Sequence, residues 1–215
     1  MAKRHNITRA VRTIIADAAK RLPEFDHIDP RRILVVAGEA RRASHASVRP
    51  LYGPRRARPA KKGKPGKKPR YRTVVKLSGR QMLYCITLRP IFFRDETVEK
   101  RVETILHELF HISTRFDGTL HAGRRHARLG KKFEKRLRPL VKRYLKAMPE
   151  ELYTSLSVNG LVAARQWLEK PGITSSSKRN TARSRRVYTE KELFLGPLRM
   201  ITRGARRPVP GGRIH

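Results

Sequence analysis

Two histidines and a glutamate stand at a spacing that chemistry uses, His107-Glu108-Leu109-Phe110-His111. On a helix, residues four apart share a face one turn apart, so imidazoles at this spacing can grip one divalent ion. The glutamate between them then faces the open coordination position. Zinc held this way lowers the pKa of a water toward about 7, and a carboxylate removes its proton as it attacks a carbonyl. His107 and His111 are therefore expected Zn²⁺ ligands and Glu108 the expected general base.

Two ligands do not complete a catalytic zinc site, so a third is expected downstream, where Asp117, His121, His126 and Glu134 are available. Asp117 falls six residues after the second histidine, the metzincin ligand position. That pattern needs a glycine where this chain has Thr114, and Asp117 reads better as a turn residue beside Gly118. His121 can serve as ligand or as the electrophile that stabilises a tetrahedral oxyanion. Glu134 sits among Lys131, Lys132 and Lys135 and reads as an ion-pair partner. Tyr144 and Tyr153 are further oxyanion donors by type, and core aromatics by pattern.

The segment from His107 to Ser113, then Phe116-Asp117-Gly118-Thr119-Leu120, then Arg124-Arg125-His126 ahead of Phe133-Glu134, resembles phage and archaeal metallopeptidases related to SprT-like, minimal gluzincin-type zinc proteases. The resemblance covers the order of elements from Thr8 to Met148, and only residues 107–134 carry it specifically. It implies His126 as the third ligand, Phe133-Glu134 as the aromatic-acidic pair that follows, and His121 as a loop residue. The chain departs from the family at Leu129, where a histidine precedes the glycine. Some relatives act on proteins attached to DNA, which implies nucleic acid near the substrate.

The elements that must position these residues follow from hydrophobic spacing. Val11, Ile14, Ile15, Ala18, Ala19 and Leu22 predict a helix from Thr8, its expected N-cap, to Pro23. Ile33 to Val36 predict a buried strand, and Tyr71–Leu77 and Gln81–Leu88 predict two more, joined at Ser78-Gly79-Arg80. Val98, Val102, Ile105, Leu106 and Leu109 form one stripe of the metal helix, capped at Asp95 or Thr97, with both histidines on the opposite face. Phe133, Leu137, Leu140, Val141, Tyr144 and Leu145 predict another helix, kinked or restarted at Pro139. A weaker helical stretch runs from Leu152 to Leu168. The expected fold is α+β, a three- to four-stranded sheet packed on the metal helix with flanking helices.

The expected organisation is one metallopeptidase domain over residues 1–170 with a disordered basic insertion near 53–70, then a flexible basic tail over 171–215. Lys and Arg number 52 against 17 Asp and Glu in 215 residues, a formal charge of +35 that repels itself unless a polyanion screens it. Nucleic acid is the expected partner, with phosphate contacts from Arg55, Arg56, Lys61, Lys62, Lys67 and Lys68 in the insertion and Lys178, Arg179, Arg185 and Arg186 in the tail. Few aromatics interleave them, so no stacking platform for single strands is expected. The single cysteine, Cys85, rules out a disulfide framework and a cysteine-based zinc site. With no long apolar run and no secretory signal, a cytoplasmic setting is expected. The competing reading is a non-enzymatic nucleic-acid-binding protein with a structural or vestigial zinc site.

Overall fold

A computed structural model of the chain describes residues 3–38, 44–51, 54–55, 70–71, 74–93, 96–124, 131–159, 161–163, 166–168, 187–188, 193–195 and 197–202. The helices are α1 (Ile7–Arg21), α2 (Pro90–Phe93), α3 (Val98–Phe110), α4 (Lys131–Ala147) and α5 (Glu150–Leu156). The strands are β1 (Lys3–Asn6), β2 (Ile33–Ala37), β3 (Ala46–Pro50), β4 (Pro54–Arg55), β5 (Arg70–Tyr71), β6 (Val74–Leu77), β7 (Arg80–Met82) and β8 (Tyr84–Leu88). Toward the carboxyl end follow β9 (Leu161–Ala163), β10 (Gln166–Leu168), β11 (Val187–Tyr188), β12 (Leu193–Leu195) and β13 (Arg199–Thr202). The architecture is mixed α+β, built on small sheets.

The sheet nearest the candidate site has the order β2-β8-β3, with β2 parallel and β3 antiparallel to β8. Its apolar side chains divide by alternation, as a pleat requires. Ile33, Val35, Tyr84, Ile86 and Leu88 join the main core with α1 and α3, while Leu34, Val36 and Cys85 meet Val75 and Met82 of the β6–β7 hairpin. The hairpin turns at Ser78-Gly79, both at positive φ. The run expected as one strand over residues 81–88 is split at Leu83. Its N–H turns aside to the Arg32 carbonyl at 2.8 Å, so β7 stays with the hairpin and β8 enters the central sheet.

Other expectations also change. Asn6, not Thr8, caps α1 by accepting the Arg9 N–H at 3.0 Å, and Thr8 Oγ1 accepts the Leu198 N–H at 2.8 Å. Of the two caps expected for α3, Thr97 serves, accepting the Lys100 N–H at 3.2 Å. Helix α4 continues through Pro139 and does not restart there. The stretch expected as helical to Leu168 is helical only to Leu156 and then supplies β9 and β10. Of the expected basic insertion, residues 54–55 and 70–71 form the antiparallel β4–β5 pair, and Arg56 with Lys61 to Lys68 lies outside the described residues.

The segment expected as a flexible tail is partly structural. Strand β13 lies between β1 and β9, and Leu198 and Met200 are fully buried in the main core. Strand β11 pairs in parallel with β6, and β12 pairs with β10. Lys178, Arg179, Arg185 and Arg186 lie outside the described residues.

Candidate metal centre

Helix α3 is enclosed on more sides than its apolar stripe predicts. Besides Val98, Val102, Ile105, Leu106 and Leu109, it buries Arg101, Thr104, Glu108 and Phe110. Sheet, α1, α4 and α5 all pack on it. Arg101, 1% exposed, donates through Nε to the Phe92 carbonyl (3.0 Å), through Nη1 to the Leu156 and Val158 carbonyls (2.6 Å each), and through Nη2 to Asn159 Oδ1. One buried guanidinium thus ties α2, α3 and the end of α5 into a frame.

Along the remaining face runs a cleft of about 760 Å³ between α3, α4 and the start of β3, with His45, Thr104, His107, Glu108, Phe133 and Leu137 among its walls. His107 lines it, and the Nε2 atoms of His107 and His111 stand 3.2 Å apart. Two imidazole nitrogens bound at about 2.0–2.1 Å to one tetrahedral ion stand roughly 3.3 Å apart, so the pair has the separation a shared zinc requires. His111 Nδ1 lies 2.8 Å from the Arg124 carbonyl. A carbonyl only accepts, so Nδ1 carries the proton, and Nε2 is the nitrogen whose lone pair the neutral ring offers, the tautomer a metal ligand needs. Phe133 packs on both rings, at 4.7 Å from His107 and 5.0 Å, nearly parallel, from His111.

Glu108 is 6% exposed and accepts the backbone N–H of Val48. Burial raises its pKa to about 7, against the smaller lowering effects of the Val48 N–H and the Arg89 charge. A carboxyl titrating near neutrality is matched to proton transfer at neutral pH. Val48 is placed to reach it because β3 is the strand of the sheet nearest α3.

The other described candidates are engaged in contacts of their own. The Ile112↔Leu120 bridge, with Ser113 N–H to the Thr119 carbonyl at 3.1 Å, closes a loop that brings the His121 N–H to the His111 carbonyl at 2.9 Å. The His121 ring turns back on its own loop, Nδ1 accepting the Gly123 N–H at 3.1 Å. Burial and the Arg124 charge hold its pKa below the usual histidine value. Asp117 accepts from the Thr119 N–H at 3.0 Å and hydroxyl at 2.5 Å, the expected turn role beside Gly118. Glu134 lines the cleft but pairs with Arg138 at 3.4 Å, both largely exposed. Tyr144 is fully buried beside Asp17 of α1, and Tyr153 donates to Glu99 at 2.6 Å; neither lines the cleft. His126 lies outside the described residues, and among the described residues no third His, Cys, Asp or Glu forms a metal-holding group with the pair.

No family model, curated protein or solved structure matches the chain.

Three contributors to the site were not legible as such. The Arg124 carbonyl and the Val48 N–H are backbone groups, which carry no signal in residue type. Phe133 reads as a core residue from its period, and only tertiary packing lays it on both imidazoles. Among the described residues, no helix is long and apolar enough to cross a membrane.

Proposed function

We propose that this protein is a zinc-dependent peptidase. The observation that carries the reading is the approach of His107 and His111 Nε2 to 3.2 Å, with His111 Nδ1 held 2.8 Å from the Arg124 carbonyl, and with His107 and a buried Glu108 lining one cleft. Zinc held there acidifies water toward a pKa of about 7 and polarises a carbonyl. The chain's own residues do the rest. Glu108 takes the proton of the attacking water and returns it to the leaving amine, and its raised pKa favours both transfers. Phe133 and the Arg124 carbonyl keep the imidazoles aligned and dry. His126, as the resemblance to SprT-like proteases implies, is the assigned third ligand.

Nucleic acid is the assigned neighbour of the substrate. The formal charge of +35 supports this, as does the outer face of α4, where Lys132, Lys135, Arg136 and Lys146 are exposed. Binding of this kind is read through phosphates and weakens steeply with salt.

Metal analysis and one substitution test the reading. Purified wild type is expected to hold one zinc per chain, and Glu108→Gln to keep that zinc while losing peptidase activity by about 10²- to 10⁴-fold, the usual worth of a general base. Wild type without stoichiometric zinc would remove the peptidase reading and leave a cationic binding protein.

A further inference from the structure

The cleft that Glu108 and His107 line also carries an apolar wall that the hydrolytic chemistry does not use. Phe133 marks its metal end, 4.7 Å from the His107 ring, and Leu137, Val141 and Leu145 follow at one-turn intervals along α4. At 1.5 Å per residue this row runs for about 18 Å. Val141 and Leu145 are only half-buried, whereas Leu140 and Tyr144 of the same helix are buried in the core. Helix α4 thus carries more apolar surface than its own packing covers. On the floor, Thr104 already spends its hydroxyl on the Lys100 carbonyl at 2.8 Å, and Ala46 lines the opposite side at the start of β3.

The charged residues of the cleft are engaged with one another. Lys100 pairs with Glu103 at 3.0 Å and Glu134 with Arg138 at 3.4 Å, all four well exposed. Solvated pairs of this kind contribute little binding energy. Lys142 adds a further cation, which disfavours a basic occupant. Burial of aliphatic side chains against Val141 and Leu145 is then the largest favourable contribution an occupant can make. An extended backbone rises about 3.3 Å per residue, so about five residues match the row, and every second side chain can face α4. A run of aliphatic side chains on an extended backbone is accessible only where a protein is unfolded, because folded monomers seldom expose contiguous apolar surface.

We propose that this wall binds extended, aliphatic-rich segments of unfolded protein, with Val141 and Leu145 selecting their side chains. The specificity rests on the peptidase reading, which puts the scissile bond beside Glu108 and makes such segments the substrate class.

The test uses the zinc-loaded full chain and two labelled, end-blocked peptides of equal length and charge, one alternating leucine with glutamine, the other serine with glutamine. Binding is read by fluorescence anisotropy on Glu108→Gln, which does not turn substrate over, and cleavage on wild type. The leucine peptide is expected to bind about tenfold or more tighter and to be cleaved with a kcat/KM higher by a similar factor. In the Glu108→Gln background, Val141→Glu, or Val141→Trp which fills the wall without charge, should reduce the preference to less than about twofold, while Lys135→Glu on the outer face should keep it. Circular dichroism and zinc content check that each variant folds. Equal binding of the two peptides, undetectable binding of both, or a preference that survives both Val141 variants would overturn the proposal. So would self-association of the chain that Val141→Glu abolishes, which would assign the wall to a second copy. Cleavage of both peptides at equal kcat/KM would overturn the proposal and spare the peptidase reading. Selective binding without cleavage by wild type would support the wall as a site for unfolded chains and remove the peptidase reading.

Discussion

Glu108→Gln should stabilise the metal-free protein above neutral pH, and the size of the effect follows from the site. The Glu108 carboxyl has a pKa of about 7 in the folded chain against an ordinary 4.5, because burial removes it from water. Between those values the native state keeps a proton that the unfolded chain has released, so stability falls as pH rises through this window. The full loss is about 3 kcal/mol, complete above pH 7 and absent below roughly pH 4.5. Glutamine resembles the protonated acid in shape and cannot ionise. Wild type and variant should therefore melt together near pH 4.5 and separate as pH rises, the variant melting roughly 6 to 12 °C higher at pH 8 for a chain of this size. Thermal melts in chelator across pH 4.5 to 8 measure the difference. A gap that does not change with pH would refute the desolvated carboxyl, and with it the reasoning that gives Glu108 a proton to trade at neutral pH.

Two other substitutions test the frame around the cleft. Arg101→Ala strands the Phe92, Leu156 and Val158 carbonyls that the guanidinium now satisfies, and denaturant unfolding should show a loss of about 3–5 kcal/mol. Tyr84→Phe removes the hydroxyl that donates to the Thr119 carbonyl at 2.8 Å and accepts the Gly118 N–H at 3.0 Å. It should cost about 1–3 kcal/mol and speed amide exchange in the loop from Ser113 to Leu120, while leaving α1 protected.

Much of the frame is legible in residue order. The periods of α1, α3 and α4 and the apolar run of β2 appear where hydrophobic spacing puts them, and the turn at Ser78-Gly79 appears where small residues allow positive φ. Strand β3 is not legible, because Ala-Ser-Val-Arg-Pro has neither a β-branched run nor a clean alternation, and its pairing with β8 supplies the order. Nothing in residue order singles out Arg101, whose acceptors lie as far as 58 residues away at Asn159. The spacing of His107, Glu108 and His111 marked the imidazole pair and the buried carboxyl beside it. Their electrostatics came from partners distant in sequence, Val48 and Arg124 above all. The basic composition was uninformative about the carboxyl end, since the few apolar residues that matter there, Leu198 and Met200, are outnumbered by arginine and lysine.

Because β13 is the middle strand of three, joined to β1 on one side and β9 on the other, residues 3–6 and 199–202 are stitched together. Ending translation at residue 170 would strip the seam that seats the start of α1, with the Leu198 carbonyl no longer there to receive the Ile7 N–H at 2.9 Å. Helix α1 in turn leans on α3, so damage at the last strand would reach the histidine pair through two packed helices. Trimming this chain to shed positive charge is thus a lesion of its interior.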